Sequence, residues 1–327
     1  MGRTKRTLII RGWQSGLVSN LNGVVNNLRY RLGRRGIEAA IVEWPIWKGM
    51  QQFPYGKPTD GNVWPHFFEP LSFDRFPSAR REVRGYARLG MTGRHAYAMH
   101  KLDRHWQRDY HEIYKRYIRL RPAILEGVEE IHRADMAGHY CVGAHYRHPA
   151  FGIQTLHPIP PPETFVLWVR RLLPDNRPWK VILATDFEPA VVIFRSAFGN
   201  RLVLQPAVRR SAGLAEGHVH HGNREPSLAL GEQVLTDCLL LSRCKSLVHI
   251  NSNVATAAGY INPALKMVFC ETPGQAAWGY IWSICLSVTG LDFIARRLYR
   301  FLKAFPRRAR KLVRLIGTSV VARLPSK

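Results

Sequence analysis

The sequence predicts an α/β protein built on two parallel sheets, and three observations support this prediction. Short apolar runs alternate with segments of helical periodicity near the amino terminus, and the same alternation returns from residue 138 onward. The chain has 327 residues, of which 46% are hydrophobic and 22% charged, which allows two domains and excludes a disordered or fibrous chain. We expect domains over residues 1–137 and 138–272, followed by a terminal segment over 273–327.

The amino-terminal half opens with a strand, a loop, a helix and a second strand. The two strands are predicted over residues 7–10 and 37–42. Between them, apolar residues recur at helical spacing over 21–28, with Ser19 or Asn20 as the expected N-cap and Gly36 as the expected end. The loop over Gly12–Ser19 would therefore lie at the carboxyl edge of a parallel sheet, where ligands bind in such folds.

The segment between the two predicted sheets is basic. Residues 50–75 are rich in Pro, Gly and aromatic side chains and are expected to be irregular. Residues 78–121 are helical in character and carry 12 Lys and Arg residues against four acids. Their cations predict either a solvated helical face or the anion-binding wall of a cleft.

The second half repeats the alternation of strand and helix. Strands are predicted over residues 140–144, 179–184, 202–204, 246–250 and 266–269. Helices are predicted over residues 163–173, 188–198, 231–242 and 254–260. This order predicts a second parallel sheet.

The net charge indicates which classes of partner the protein can bind, and the cysteines indicate in which cellular compartment it folds. The formal net charge is +25, so the surface attracts nucleic acid, nucleotide phosphates or anionic lipid. The five cysteines include no C-x-x-C pair, which argues against a disulfide framework or a zinc ribbon and predicts a reducing compartment. We expect a cytoplasmic protein, peripheral on the inner face of the cytoplasmic membrane.

The carboxyl-terminal region suggests membrane contact. Residues 272–291 carry no charge, but their prolines, glycines and serines argue against a membrane-spanning helix. Residues 291–327 carry 11 Lys and Arg residues against one acid, interleaved with apolar side chains. This pattern is typical of an amphipathic helix lying on an anionic membrane, and the alternative is a packed terminal helix with a frayed tail.

Polar side chains follow three of the predicted strands in the second half. His145–His148 ends the first, Asp186 ends the second, and Asn251–Asn253 follows the third. The carboxyl ends of parallel strands meet at one edge, so these groups should converge there. Arg147 offers a fork of donors suited to phosphate, and a helix beginning near Ser252 would add backbone N–H groups. Each acid or serine could instead be a simple helix cap.

Other motifs exclude several chemistries. Asp237 lies in an otherwise apolar helix and needs a partner. The histidines of 217–221 lack the further ligands of a metal site, and no D-x-D motif is present. The sequence also lacks a G-x-S-x-G elbow, a Walker A motif and a G-x-G-x-x-G loop. We therefore expect no metal and no tightly bound cofactor.

The chain resembles the superfamily of α-1,6-fucosyltransferases and protein O-fucosyltransferases, and within it the bacterial nodulation fucosyltransferase branch. The resemblance covers roughly residues 5–272 and rests on IIRGWQSGLVSNLNGVVNNL (9–28), GAHYRHP (143–149), ATDFEPAVVIFRSAFG (184–199) and LGEQVLTDCLLLSRCKSLVHINSNVATAAGYINP (230–263). It implies a GT-B fold, in which two Rossmann-like domains face a cleft. It also implies inverting, metal-independent transfer of fucose from the co-substrate GDP-fucose.

The resemblance assigns roles to individual residues. Arg147 would grip the β-phosphate and stabilise departing GDP, and His145 would contact the nucleotide. The further residues expected to bind the donor are His148, Asp186, Asp237, Asn251, Ser252, Asn253, Ser19, Asn20 and Asn22. Glu43, Asp60 and His148 are the candidate general bases.

The chain departs from the family's pattern at several positions, which keeps alternatives open. His148 replaces a second arginine of the mammalian branch, Ala150 and Phe151 replace an Asp–Lys pair, and Phe187 replaces an acid. The expected acceptor is a hydroxyl of a cell-envelope glycan or lipid-linked glycan. The alternatives are a glycosyltransferase that uses another nucleotide sugar, a non-catalytic sugar-binding protein and a nucleic-acid-binding protein. The last is disfavoured because no RNA-binding module is recognisable.

Overall fold

The computed structural model describes residues 4–13, 15–45, 55–56, 61–84, 104–149, 159–206, 208, 210–214, 227–250 and 252–270. Predictions for the uncharged run 272–291, the basic segment 291–327 and the histidines of 217–221 lie outside these residues. The same holds for Asp60 and Asn251.

The amino-terminal half contains a parallel sheet. Its strands are β1 (Arg6–Arg11), β2 (Ile37–Glu43) and β3 (Arg80–Arg84), in the order β2–β1–β3. The middle of β1 is fully buried because helices cover the sheet and neighbouring strands flank it on both sides. The first two strands confirm the sequence prediction. The prediction of helical structure throughout 78–121 is wrong at β3, where backbone pairing with β1 outweighs a basic sequence without a strand pattern.

The second sheet has five parallel strands in the order β6–β5–β4–β7–β8. They are β4 (Tyr140–Tyr146), β5 (Trp179–Thr185), β6 (Leu202–Val203), β7 (Ser246–His249) and β8 (Lys266–Phe269). All five confirm the predicted strands, with ends that differ by at most two residues. The central strand β4 runs two residues further than predicted, so His145 and Tyr146 belong to the strand itself.

The described helices cover both sheets. They are α1 (Leu17–Arg31), α2 (Trp64–Phe67), α3 (Arg104–Tyr117), α4 (Pro122–Ile131), α5 (Pro162–Arg170), α6 (Glu188–Phe198), α7 (Leu228–Ser242) and α8 (Asn253–Ile261). A π-helical turn follows α4 over His132–Met136. Helices α1 and α3 of the first half contact α8 of the second, and side chains of both halves share one hydrophobic core.

Helix α1 begins and ends earlier than the sequence predicts. Its N-cap is Gly16, so Ser19 and Asn20 lie inside the helix rather than before it. The Asn20 side chain accepts from the Trp13 backbone N–H at 2.9 Å and donates to the carbonyl of Ser15 at 3.2 Å. Asn20 therefore holds the preceding loop in place from inside the helix. An N-cap residue makes similar hydrogen bonds, which is why the sequence indicated one here. The helix ends at Arg31, and a turn with positive φ at Gly33 and Gly36 leads to β2.

Two chemical features bear on the sequence predictions. Within the described residues, no helix combines the length and apolar character required to cross a bilayer.

The four cysteines of the described part of the chain are buried thiols without a disulfide: Cys141, Cys238, Cys244 and Cys270.

Candidate functional site

The carboxyl ends of β4, β5 and β7 are direct neighbours. His145 of β4 lies opposite Ala184 of β5 and opposite His249 of β7. The residues that follow these strands therefore emerge side by side at one edge of the sheet. This arrangement brings Arg147, Asp186 and the start of α8 together, as the sequence predicted.

Asp186 fixes the loop that follows β4. Its carboxylate accepts a hydrogen bond from the backbone N–H of His148 at 2.9 Å, and its own carbonyl accepts from the backbone of Ser211 at 2.9 Å. The Asp186 side chain is only 5% exposed. A buried carboxylate that accepts a backbone N–H holds that backbone firmly, so Asp186 sets the path of the loop that carries Arg147.

The two departures from the family's pattern at His148 and Phe187 are in contact. The His148 ring packs edge-on against Phe187 with centroids 4.8 Å apart, and its Nε2 lies 3.3 Å from the Gly213 carbonyl. His148 is fully buried. Its ring therefore packs in the interior, and this placement gives no direct support to the prediction that it binds donor or acts as a base.

A narrow pocket lies at this edge of the sheet. Its polar lining comes from His145, Arg147, Thr185, Asp186, Gln233 and Asp237, and Val254 of the first turn of α8 also contributes. The pocket measures about 30 Å³, which is room for a water molecule, whereas small-molecule sites span roughly 300–1,000 Å³. A nucleotide would enter only if lining side chains moved.

Asp237 is held largely protonated near neutral pH. Burial raises its pKa most, the charge of Arg210 opposes this shift, and the nearby Asp186 carboxylate adds a smaller increase, so that the pKa is raised to about 8. With the Gln205 amide oriented to satisfy its hydrogen bonds, its nitrogen donates to Asp237 Oδ1 at 3.0 Å. A protonated Asp237 can itself donate a hydrogen bond into the pocket.

Replacing Asp237 with Asn should change how stability depends on pH. The unfolded carboxyl ionises near its ordinary value, about 4, whereas the folded one stays protonated until about 8. Wild-type stability should therefore fall relative to Asp237→Asn between these values, by up to about 1.4 kcal/mol per pH unit, and level off above the upper one. Urea unfolding of both proteins across this range measures the effect. Parallel curves would contradict the assignment.

Helix α8 begins at the same edge. Ser252 is its N-cap, and the Ser252 hydroxyl accepts from the backbone N–H of Val254 at 3.1 Å. The structure thus shows Ser252 in the capping role that the sequence left open. The positive end of the helix dipole still faces the pocket through Val254, which favours an anion there.

Asn22 joins the two halves of the protein instead of lining the pocket. Its amide donates to the Asn253 carbonyl and to Asn253 Oδ1, both at 3.1 Å, and its oxygen accepts from the Tyr260 hydroxyl at 2.8 Å. Ser19, Asn20 and Asn22 are all buried within α1. The structure places none of these three on the pocket lining, so their predicted contact with donor has no geometric support.

Replacing Asn22 with Ala should destabilise the fold by about 1–3 kcal/mol, because the buried Tyr260 hydroxyl and the Asn253 carbonyl each lose a hydrogen bond. Tyr260→Phe in the Asn22→Ala background should recover part of the lost stability, since it removes the Tyr260 hydroxyl, one of the two groups that lose a hydrogen bond to Asn22. A double-mutant cycle by urea unfolding measures this coupling. Strict additivity of the two substitutions would contradict it.

Tyr55 is a buried residue that senses the charges of the site, and sequence reasoning missed it. It is 2% exposed, and it hydrogen-bonds with the backbone of Leu17 at the start of α1. Burial raises the pKa of its phenol to about 12, while the charge of Arg147 lowers it and that of Asp186 raises it. Tyr55 of the first half is therefore within electrostatic range of Arg147 and of Asp186. Its segment was recognised only as rich in aromatics, and no periodicity marked this position.

Glu43 lies at the carboxyl end of β2, where Arg11 of β1 pairs with it. The Arg11 guanidinium also donates to Glu82 at 2.8 Å and lowers the pKa of that carboxylate. The ion pair occupies Glu43, and the carboxylate does not line the pocket. Its predicted role as a general base therefore remains a prediction. Among the described residues, no cluster of three or more His, Cys, Asp or Glu is placed to hold a metal ion.

Comparison with known proteins gives matches only among solved structures. No family model matches the sequence, and no curated protein matches it. The NodZ α-1,6-fucosyltransferase co-crystallised with GDP is 18% identical, with a TM-score of 0.52, over 83% of this chain and 96% of that one. NodZ soaked with GDP-fucose is 17% identical, with a TM-score of 0.50, over 79% of this chain and 92% of that one.

A match of this extent at such low identity establishes the fold. It covers 83% of this chain and nearly the whole length of NodZ. It also agrees with the resemblance drawn from the sequence motifs. The chain therefore has the GT-B fold of the NodZ α-1,6-fucosyltransferase.

Proposed function

We propose that this protein is an inverting, metal-independent glycosyltransferase that moves fucose from GDP-fucose to a hydroxyl of a glycan or glycolipid. The observation that carries the proposal is the position of Arg147 in a polar pocket bordered by the first turn of α8. The fold it shares with NodZ, whose structures were obtained with GDP and GDP-fucose, supports the choice of donor.

The proposed chemistry needs stabilisation of a leaving diphosphate. An acceptor oxygen attacks the anomeric carbon, the bond to the β-phosphate oxygen breaks, and its electron pair stays on GDP. Arg147 presents a fork of permanently charged donors, which suits this developing charge. The dipole of α8 adds to it, so the main contribution is electrostatic. Glu43, Asp60 and His148 remain the candidates for taking the hydroxyl proton.

The neighbouring acids are compatible with an anionic ligand. Asp186 directs one oxygen at the His148 backbone, and the raised pKa of Asp237 keeps that carboxyl mostly neutral near pH 7. An ionised Asp237 would repel a diphosphate, whereas a protonated one can donate to a phosphate oxygen or to the base. Because Asp237 is mostly neutral, the pocket can accept a nucleotide although the carboxyl groups of Asp186 and Asp237 line it.

A transfer assay tests the proposal. Purified protein with labelled GDP-fucose and crude envelope glycolipid should move label to the acceptor, and chelating divalent cations with EDTA should leave the rate unchanged. GDP should raise the melting temperature, since saturation at about 100 times Kd stabilises a protein by about 2.7 kcal/mol. Absence of both transfer and GDP stabilisation would contradict the proposal, and loss of transfer with EDTA would contradict its metal-independent part.

The second candidate is a glycosyltransferase that uses another nucleotide sugar. It is favoured by one observation: His148 packs against Phe187, and Phe187 stands where the pattern of the resembled family has an acid. A panel of GDP-, UDP- and dTDP-sugars in the same melting and transfer assays separates the two. Preference for a donor other than GDP-fucose would support this candidate.

A further inference from the structure

A dense group of cations lies at the amino end of the first sheet. In a parallel sheet all strands begin at one edge, and the turn that joins α1 to β2 lies there too. We use the name basic edge for the residues Lys5, Arg6, Arg31, Arg34, Arg35, Arg80 and Arg81. This edge is opposite the strand ends that carry Arg11 and Glu43, so it is distinct from the carboxyl side of that sheet.

Arg31 of the basic edge is close enough to Arg35 and Arg81 to be affected by their charges. Burial lowers the pKa of Arg31, and the charges of Arg81 and Arg35 lower it further. One carboxylate at this edge, Glu38, pairs with Lys5 at 3.1 Å. Repulsion of this kind destabilises a folded protein unless an anion offsets it, so the cluster points to an anionic partner.

An exposed aromatic ring lies beside the basic edge. Phe76 is 48% exposed. The segment that follows it is fastened to the start of β1, because the Thr7 hydroxyl donates to the Pro77 carbonyl at 2.6 Å and the Thr7 N–H to the Ala79 carbonyl at 2.7 Å. Arginines next to an exposed aromatic ring are typical of surfaces that lie at the headgroup level of a bilayer.

We propose that the basic edge binds the surface of an anionic phospholipid bilayer, with arginines on lipid phosphates and Phe76 among the headgroups. A lipid surface is favoured over nucleic acid because one exposed ring accompanies the cations, rather than a series of rings on which bases could stack. The sequence of residues 291–327 also alternates cations with apolar residues, a pattern that suits an anionic membrane.

Vesicle binding by the full chain tests the proposal. Phosphatidylcholine vesicles with and without phosphatidylglycerol would be sedimented with wild type, with Arg31→Gln/Arg35→Gln/Arg81→Gln and with Phe76→Ser. The triple variant should lose about 10²-fold in partition coefficient on anionic vesicles, because each cation near such a surface contributes severalfold. Phe76→Ser should lose severalfold, with little dependence on salt, since it removes an apolar contact.

A matched triple variant separates the basic edge from net charge. Arg170, Arg171 and Arg195 are exposed cations on α5 and α6 of the second sheet, and replacing all three with Gln removes the same charge. This control should lose far less binding than the basic-edge variant, and melting curves should show that both are folded. Equal losses in the two variants would overturn the proposal.

A parallel measurement of RNA binding tests whether the partner of the basic edge is a nucleic acid rather than a membrane. If the basic-edge variant kept its vesicle binding but lost binding to a single-stranded RNA oligomer, the edge would be a nucleic-acid surface and the proposal would be wrong. Transfer to a soluble acceptor should be the same in wild type and in both triple variants, because none of these residues lies at the pocket. Failure of the proposed transferase activity would therefore leave the vesicle result unaffected.

Discussion

Arg147→Lys and Arg147→Ala should each lower the rate of sugar transfer by about 10²–10³ or more, because each removes the forked donor that stabilises the leaving diphosphate. Arg147 is half-buried, it lines the pocket, and it follows the end of β4 rather than lying within the strand. The fold should therefore survive both substitutions. Initial rates at saturating GDP-fucose, together with melting curves, measure the two effects separately.

Arg177→Lys is the matched control for this experiment. The Arg177 guanidinium lies over the Tyr140 ring, 4.2 Å from its centroid, at the opposite edge of the same sheet. The same chemical change there should leave transfer within a few-fold of wild type, since cation–π contacts of this kind contribute only about 0.5–1 kcal/mol at exposed sites. Near wild-type turnover in Arg147→Ala would contradict the assignment of Arg147 as the group that stabilises the leaving diphosphate.

Gly231→Ala should destabilise the protein by about 1–3 kcal/mol, although alanine is normally the better helix former. A Cβ added at Gly231 of α7 would lie 2.4 and 2.6 Å from ring carbons of Phe67, closer than real contacts allow. Phe67 is fully buried and belongs to α2 of the first half. The glycine thus permits close packing between the halves, and urea unfolding measures its loss.

Two further variants decide whether packing is the cause. Gly127 lies in the middle of α4 with open space around its Cα, so Gly127→Ala should stabilise by about 0.5–1 kcal/mol. Phe67→Leu combined with Gly231→Ala should be less destabilised than the sum of the two single changes, since the smaller side chain relieves the overlap. Stabilisation by Gly231→Ala would contradict the close contact with Phe67.

The edge of the second sheet could be predicted from the sequence because strand ends obey a simple geometric rule. Buried apolar runs mark β4, β5 and β7, and parallel pairing brings their carboxyl ends together without reference to distant contacts. Arg147 and Asp186 were therefore placed correctly at one pocket. Asp237 was recognised as an acid that needs a partner, but its raised pKa comes from burial and, to a smaller extent, from Asp186, against the opposing charge of Arg210, and no local pattern reveals these neighbours.

Features that depend on contacts between distant parts of the chain could not be predicted from the sequence. Asn22 was assigned to the donor, but its partners Asn253 and Tyr260 lie more than 200 positions away in the chain. Strand β3 has a basic sequence and owes its conformation to pairing with β1. Tyr55 comes within electrostatic range of Arg147 from a segment without periodicity. In each case tertiary contacts outweigh local propensity.

A crystal structure of the protein soaked with GDP tests most directly whether the Arg147 guanidinium and the N-terminus of α8 together bind a pyrophosphate. The expected density places β-phosphate oxygens within hydrogen-bonding distance of Arg147 and beside the first turn of α8, with the surrounding side chains displaced to make room. A nucleotide bound elsewhere, or an empty pocket at saturating GDP, would contradict the account.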